Sequence, residues 1–104
     1  MIDLEPEYLE IVKQILAAQV GGVEVRAFGS RVNGAAGKYS DLDLALVAAE
    51  RIPLARIEAL REAFAESDLP FQVDVLDWQA ISASFRGVIE KKYERVQVAS
   101  EANQ

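Results

Sequence analysis

An α/β or α+β domain, one sheet packed against helices, is the fold class the sequence predicts, and three observations predict it. Segments with the two-residue alternation of strands take turns with segments of helical periodicity. Glycines and prolines punctuate the switches between them. The chain has 104 residues, 51% hydrophobic and 27% charged, which is enough for one core and ordinary for a globular domain. No internal repeat, low-complexity stretch or linker divides it, so residues 1–104 read as a single domain.

The first helix is expected over residues 6–19, where Tyr8, Leu9, Val12, Ile15 and Leu16 fall at helical spacing. Pro6 suits its first turn, and Gly21-Gly22 ends it. Residues 23–28, VEVRAF, alternate as a strand, and Gly29-Ser30 marks the switch into a short turn or helix. Asn33-Gly34 and Gly37 then punctuate a loop. The strand at 42–48 carries Leu42, Leu44 and Leu46 on one face and leaves Asp41 and Asp43 to the other. Pro53 opens a second long helix to about Ser67, with Leu54, Ile57, Leu60 and Phe64 as its buried stripe, before Asp68-Leu69-Pro70 breaks it. FQVDVL, residues 71–76, reads as a third strand. A helix over 79–92 follows, its apolar positions Ile81, Phe85, Val88 and Ile89. A short strand at 94–98 closes the series, and the polar tail 100–104 is expected to fray.

Composition narrows the chemistry. With no cysteine there is neither a disulfide framework nor a zinc-thiolate site, and with no histidine the usual general base is missing. Catalysis would run on carboxylates, hydroxyls and a hard metal. The formal charge of −6, with basic residues scattered along the chain, argues against direct nucleic-acid binding. No apolar run approaches the roughly 20 residues of a membrane span. The acidic opening MIDLEPEYLE is unlike a secretory signal, so a cytoplasmic location without membrane association is the expectation.

The chemistry is concentrated in FGSRVNGAAGKYSDLDLALV, where Gly29-Ser30 is followed after ten residues by Asp41-x-Asp43. Side chains two apart on a strand share a face, placing these carboxylates about 6.6 Å apart along the backbone. Two like charges there repel unless a cation lies between them. Mg²⁺ fits, because it takes one or two carboxylates together with substrate phosphate oxygens. Gly29 and Ser30 offer a phosphate cradle. Asp74, flanked by Val73 and Val75, is a third acid in a run otherwise fit for burial. A carboxylate so placed protonates, pairs or binds metal.

Gly29-Ser30-x10-Asp41-x-Asp43 followed by Asp74 resembles the DNA polymerase beta-like nucleotidyltransferase superfamily. The small size, the segment Val25 to Val47 and FQVDVLDW resemble its minimal nucleotidyltransferase (MNT) family, whose members are often paired with a HEPN-domain protein. The resemblance covers about Ile11 to Val98. It implies a small mixed β-sheet flanked by helices, and attack of a hydroxyl on the α-phosphate of a nucleoside triphosphate with release of pyrophosphate. Carried over by position, Asp41 and Asp43 hold the metals, two Mg²⁺ ions, and Asp74 completes the site and helps activate the hydroxyl. Gly29 and Ser30 hold the outgoing phosphates, and Arg31 is a further candidate phosphate contact. ATP is the implied substrate and a tyrosine hydroxyl of a HEPN-domain toxin the implied acceptor, which makes the chain an antitoxin.

Plainer readings stand beside these. Asp41 and Asp43 could be solvent-facing turn and edge acids, Asp74 a salt-bridge partner of Arg26 or Lys38, Ser30 a helix cap and Arg31 a surface cation. Asp77 reads as a turn or cap residue and Trp78 as a core or interface aromatic. Tyr39 fits either base stacking or packing on the domain. At the level of function, the alternatives are a non-catalytic module that neutralises its partner stoichiometrically and transfer to a small molecule.

Overall fold

The computed structural model describes residues 2–100. Helix α1 (Pro6–Val20) leads into strand β1 (Glu24–Phe28), the single turn α2 (Ser30–Asn33) and strand β2 (Leu42–Val47). Helix α3 (Leu54–Ala65), strand β3 (Val73–Asp77), a 3-10 turn (Trp78–Ala80), helix α4 (Ala83–Lys91) and strand β4 (Glu94–Gln97) complete the order. Among the described residues the strands form one sheet in the order β3-β2-β1-β4. β1 pairs antiparallel with β2 and β4, whereas β2 and β3 are parallel, so the sheet is mixed.

Alternation sorts the residues between two layers. Val25 and Ala27 of β1, Leu42, Leu44 and Leu46 of β2 and Val75 of β3 bury toward α1 and α3, meeting Val12, Leu16, Val20, Ile57, Leu60 and Phe64. Fully burying one such leucine stabilises by about 1.5–3 kcal/mol, so a one-residue slip of β2, which would expose three of them, is strongly disfavoured. On the opposite face Ala45, Trp78 and Ile89 form a smaller cluster, with Phe28, Val47, Ile81 and Tyr93 around it. α4 therefore covers only part of that face.

Element boundaries follow local chemistry. Pro6 stands in the first turn of α1, and after Gly21 the chain turns through Gly22 at φ +88°. Asp77 carries more than a cap role: its Oδ1 accepts from the Gln79 amide at 2.9 Å and its Oδ2 from the Ile52 amide at 2.9 Å. The third strand starts two residues later than the apolar run FQVDVL suggests and ends on this aspartate.

Three expected core positions are exposed instead. Leu54 lies at the first residue of α3, before the helix meets the sheet, and is 65% exposed. Phe85 and Val88 are 37% and 58% exposed, because α4 starts only at Ala83 and its inward stripe is reduced to Ile89. Of the tail, Ser100 donates its amide to the Gly22 carbonyl at 2.9 Å, and residues 101–104 lie outside the described residues.

Candidate active site

The sheet register brings the sequence-distant acids together. Asp43 sits in β2 opposite Phe28 of β1 and, on its other side, opposite Asp74 of β3. Paired strands lie about 4.8 Å apart, so Asp43 and Asp74 project side by side from one face. Asp41 lies just before the first residue of β2 and is exposed.

Electrostatics mark Asp43 as the strained member. Its pKa is raised above the ordinary 3.8, first by burial, then by repulsion from Asp74 and Asp41, and by a hydrogen bond with Asp74. Each cause favours the protonated form or disfavours a second negative charge. Asp74 has no ion-pair partner among the described residues: Arg26 pairs with Glu24 at 2.7 Å, and Arg95 joins the same glutamate at 3.0 Å. Their attraction more than offsets burial and holds the Glu24 carboxyl below its usual range.

Gly29 explains why the motif begins with glycine. Its φ of +82° and ψ of −153° lie in a region that residues with a Cβ essentially avoid. A Cβ built there would also collide with the Asp43 carboxylate, with Oδ2 nearest and Cγ at 3.4 Å. The absent side chain thus lets the β1–α2 turn close against the acid pair. The Gly29 carbonyl accepts the Val32 and Asn33 amides at 3.0 Å each, which places Gly29, not Ser30, at the cap of α2. Ser30 is the first residue of the turn, where backbone amides have no partner within a helix. With only four residues, α2 contributes little dipole of its own.

Arg31, read from sequence as a phosphate contact, is placed differently. It is buried, donates Nε to the Ser40 carbonyl at 2.9 Å, and uses its two terminal nitrogens on Asp3 at 2.9 Å and Lys38 at 3.2 Å. Its guanidinium also stacks over the Phe71 ring at 4.3 Å. Each of its three nitrogens faces a main-chain carbonyl, so the side chain braces the loop that leads into Asp41. The Ser40 hydroxyl accepts the Gly37 amide at 2.7 Å and tightens the same loop. Tyr39 extends from it, 67% exposed, with the Lys38 amine 5.5 Å from its ring centre.

Among the described residues no three His, Cys, Asp or Glu side chains are gathered closely enough to hold a metal ion as they stand. The donor set nevertheless suits a hard cation. It is all oxygen, and the repulsion that raises Asp43 is what a cation between the carboxylates would relieve. Asp41 and Asp74 are both exposed, whereas Asp43 is partly buried between them and the turn.

A cavity of about 820 Å³ opens beside the acid pair, bounded by β3, α3 and α4 and lined by Phe28, Asp43, Arg61, Leu69, Asp74 and Phe85 among others. Sequence reasoning missed the two phenylalanines. Phe28 read as a strand residue and Phe85 as core, and no local pattern separates a cavity wall from a core face. No helix among the described residues is long and apolar enough to cross a membrane.

Comparison with known proteins gives a consistent set of matches. The family model described as a nucleotidyltransferase domain matches residues 7–102. A relative from Haemophilus influenzae, named probable protein adenylyltransferase MntA, is 50% identical over 96 residues, covering 92% of this chain and 84% of that protein. A crystal structure of a toxin-antitoxin with AMP-PNP superposes with a TM-score of 0.73 at 20% identity, covering 91% of this chain and 76% of that one. The tri-AMPylated Shewanella oneidensis HEPN toxin in complex with MNT antitoxin gives 0.61 at 18% identity, over 91% and 76% of the two chains. At these identities the solved structures establish the shared fold: a mixed sheet with helices.

Proposed function

We propose, from a chain that belongs to the nucleotidyltransferase domain family, that it transfers AMP from ATP to a tyrosine hydroxyl of a HEPN-domain partner and thereby acts as an antitoxin. The observation that carries this reading is the register. Asp43 is flanked by Asp74 on the neighbouring strand, with Gly29 pressed against its carboxylate. Three carboxylates beside a glycine-serine turn suit a reaction in which negative charge shifts onto a leaving pyrophosphate.

The roles follow from position. Asp41 and Asp43 would hold two Mg²⁺ ions, with Asp74 completing the ligand set. When bound, the metal supplies positive charge against the phosphate oxygens and the attacking oxygen. Gly29 and Ser30 hold the outgoing phosphates through their amides and the Ser30 hydroxyl. Asp74 accepts the proton of the acceptor hydroxyl, whose oxygen forms a bond to the α-phosphorus. The bond from that phosphorus to the α,β-bridging oxygen breaks, and its electron pair leaves with pyrophosphate. Arg31 serves phosphate binding through the loop it braces, its nitrogens being engaged by carbonyls. A location in the cytoplasm, where ATP and Mg²⁺ are supplied, fits this chemistry.

Incubation of the chain with a HEPN-domain partner, ATP and Mg²⁺, read by mass spectrometry of the partner, tests the reading. An adenylyl adduct on tyrosine is expected, lost with Asp41→Asn. No adduct, or an adduct unchanged by that substitution, overturns the enzymatic assignment. Neutralisation of the partner that survives loss of both Asp41 and Asp43 would identify a stoichiometric binding module instead.

A further inference from the structure

The cavity beside the acid pair is one-sided. Asp43 and Asp74 line it, but Gly29, Ser30 and Asp41 do not, so it leads away from the proposed phosphate cradle. Phe85 stands on its wall in edge-to-face contact with Phe28, ring centres 5.9 Å apart and planes at 84°. It is 37% exposed, although a large apolar side chain there would gain from burial. Its helix turn is fixed at two points by hydrogen bonds. The Ser82 hydroxyl accepts the Phe85 amide at 3.1 Å, and Arg86 donates Nε to the Trp78 carbonyl at 2.9 Å. The wall also offers the right acceptor: the Asp74 carboxylate beside Phe85 can take a hydrogen bond from a phenol, and Arg61 on the same wall donates to the Val75 carbonyl at 3.1 Å.

We infer that Phe85, backed by Phe28, receives the ring of the acceptor tyrosine and sets its hydroxyl before Asp74. This rests on the transfer proposed above. The phenolic proton passes to the Asp74 carboxylate as the phenolic oxygen bonds to the α-phosphorus of ATP, and pyrophosphate leaves with the electron pair of the broken bond. Phe85 takes no part in those bond changes; it is a positioning residue that contacts the acceptor.

Two measurements test it. Full-length chain carrying ¹³C-labelled phenylalanine is titrated with N-acetyltyrosinamide and, separately, with AMP-PNP. The Phe28 and Phe85 ring signals should move with the phenol and not with the nucleotide. Steady-state transfer is then measured with Phe85→Ala. The KM for the HEPN-domain partner should rise roughly tenfold, as expected for an aromatic contact, while the KM for ATP stays within about twofold. Phe85→Tyr should restore the partner KM. Ring signals that follow AMP-PNP, or an Ala variant that changes both KM values together or neither, would overturn the assignment. If the wild-type chain transfers no AMP, the proposed function fails and the acceptor role with it, and the phenol titration then decides only whether Phe28 and Phe85 bind a phenol ring.

Discussion

Replacing Asp43 with asparagine should abolish activity and yet make the metal-free protein more stable. Asp43 and Asp74 are register partners on neighbouring strands, with Asp41 two residues away. At a separation of about 5 Å, two unit charges repel by about 1 kcal/mol in bulk water and about 3 kcal/mol at an effective dielectric of 20. Asp74 is exposed, so solvent screening puts the usable figure near the lower value, about 1 kcal/mol. In a domain of this size that corresponds to a Tm increase of roughly 4–8 °C. Asparagine has nearly the same shape and should fit beside Gly29 as the carboxylate does. The pH dependence has a definite sign. The folded-state pKa of Asp43 is raised, so the native state holds the proton more tightly than the unfolded chain does. Stability from this group is complete below the ordinary value of 3.8 and is lost as pH rises through the raised folded value. The gain from Asp43→Asn should therefore be largest near pH 7.5 and shrink toward pH 4. Thermal unfolding by circular dichroism in the presence of a chelator, at both pH values, is the assay. A variant that melts at or below the wild-type temperature at pH 7.5 would refute the repulsion reasoning. Adding Mg²⁺ should reverse the ranking, since an ion that binds only the folded wild type raises its Tm by mass action.

Three other substitutions probe the frame of the site. Gly29→Ala should destabilise by about 1–3 kcal/mol, from the positive φ and the contact with Asp43, and should lose transfer activity; urea unfolding and adduct formation measure the two effects. Arg31→Lys keeps the charge but cannot reach three carbonyls in the same fork. We expect about 1–3 kcal/mol of lost stability and a raised KM for ATP, whereas a purely surface cation would tolerate the exchange. Asp77→Ala leaves the Ile52 and Gln79 amides without their acceptors. It should cost about 1–3 kcal/mol by chemical denaturation, with the KM for ATP unchanged because the residue lies at the far end of β3 from Asp74's neighbours in the site.

The local geometry around Asp43 and Gly29 could be read because it depends on nearest neighbours. Asp43 takes the strand face opposite Leu42, Leu44 and Leu46 by alternation, and burial of those leucines decides which face that is. Gly29 before Ser30 signals a turn that only glycine can make. Other features could not be read, because they depend on where a helix begins or which segment lies across from which. Leu54 matches the buried stripe of α3 by spacing, yet the helix begins there and the residue faces solvent. Phe85 and Val88 fit an apolar stripe that α4, starting at Ala83, does not fully bury. Arg31 has the composition of a phosphate ligand, but the carbonyls that claim it come from Asp3, Lys38 and Ser40, and no spacing rule joins residue 3 to residue 31.

By itself, then, the sequence determined the alternation of helices and strands, the turn at Gly29 and the strand face of Asp43, and it contains no thiol or imidazole. Those are properties of residue type and short-range periodicity. The placement of Asp74 beside Asp43, the contact of Gly29 with that carboxylate and the cavity walled by Phe28 and Phe85 were decided only in three dimensions. Strand order and register are set by the summed burial of the whole sheet, which no local segment encodes.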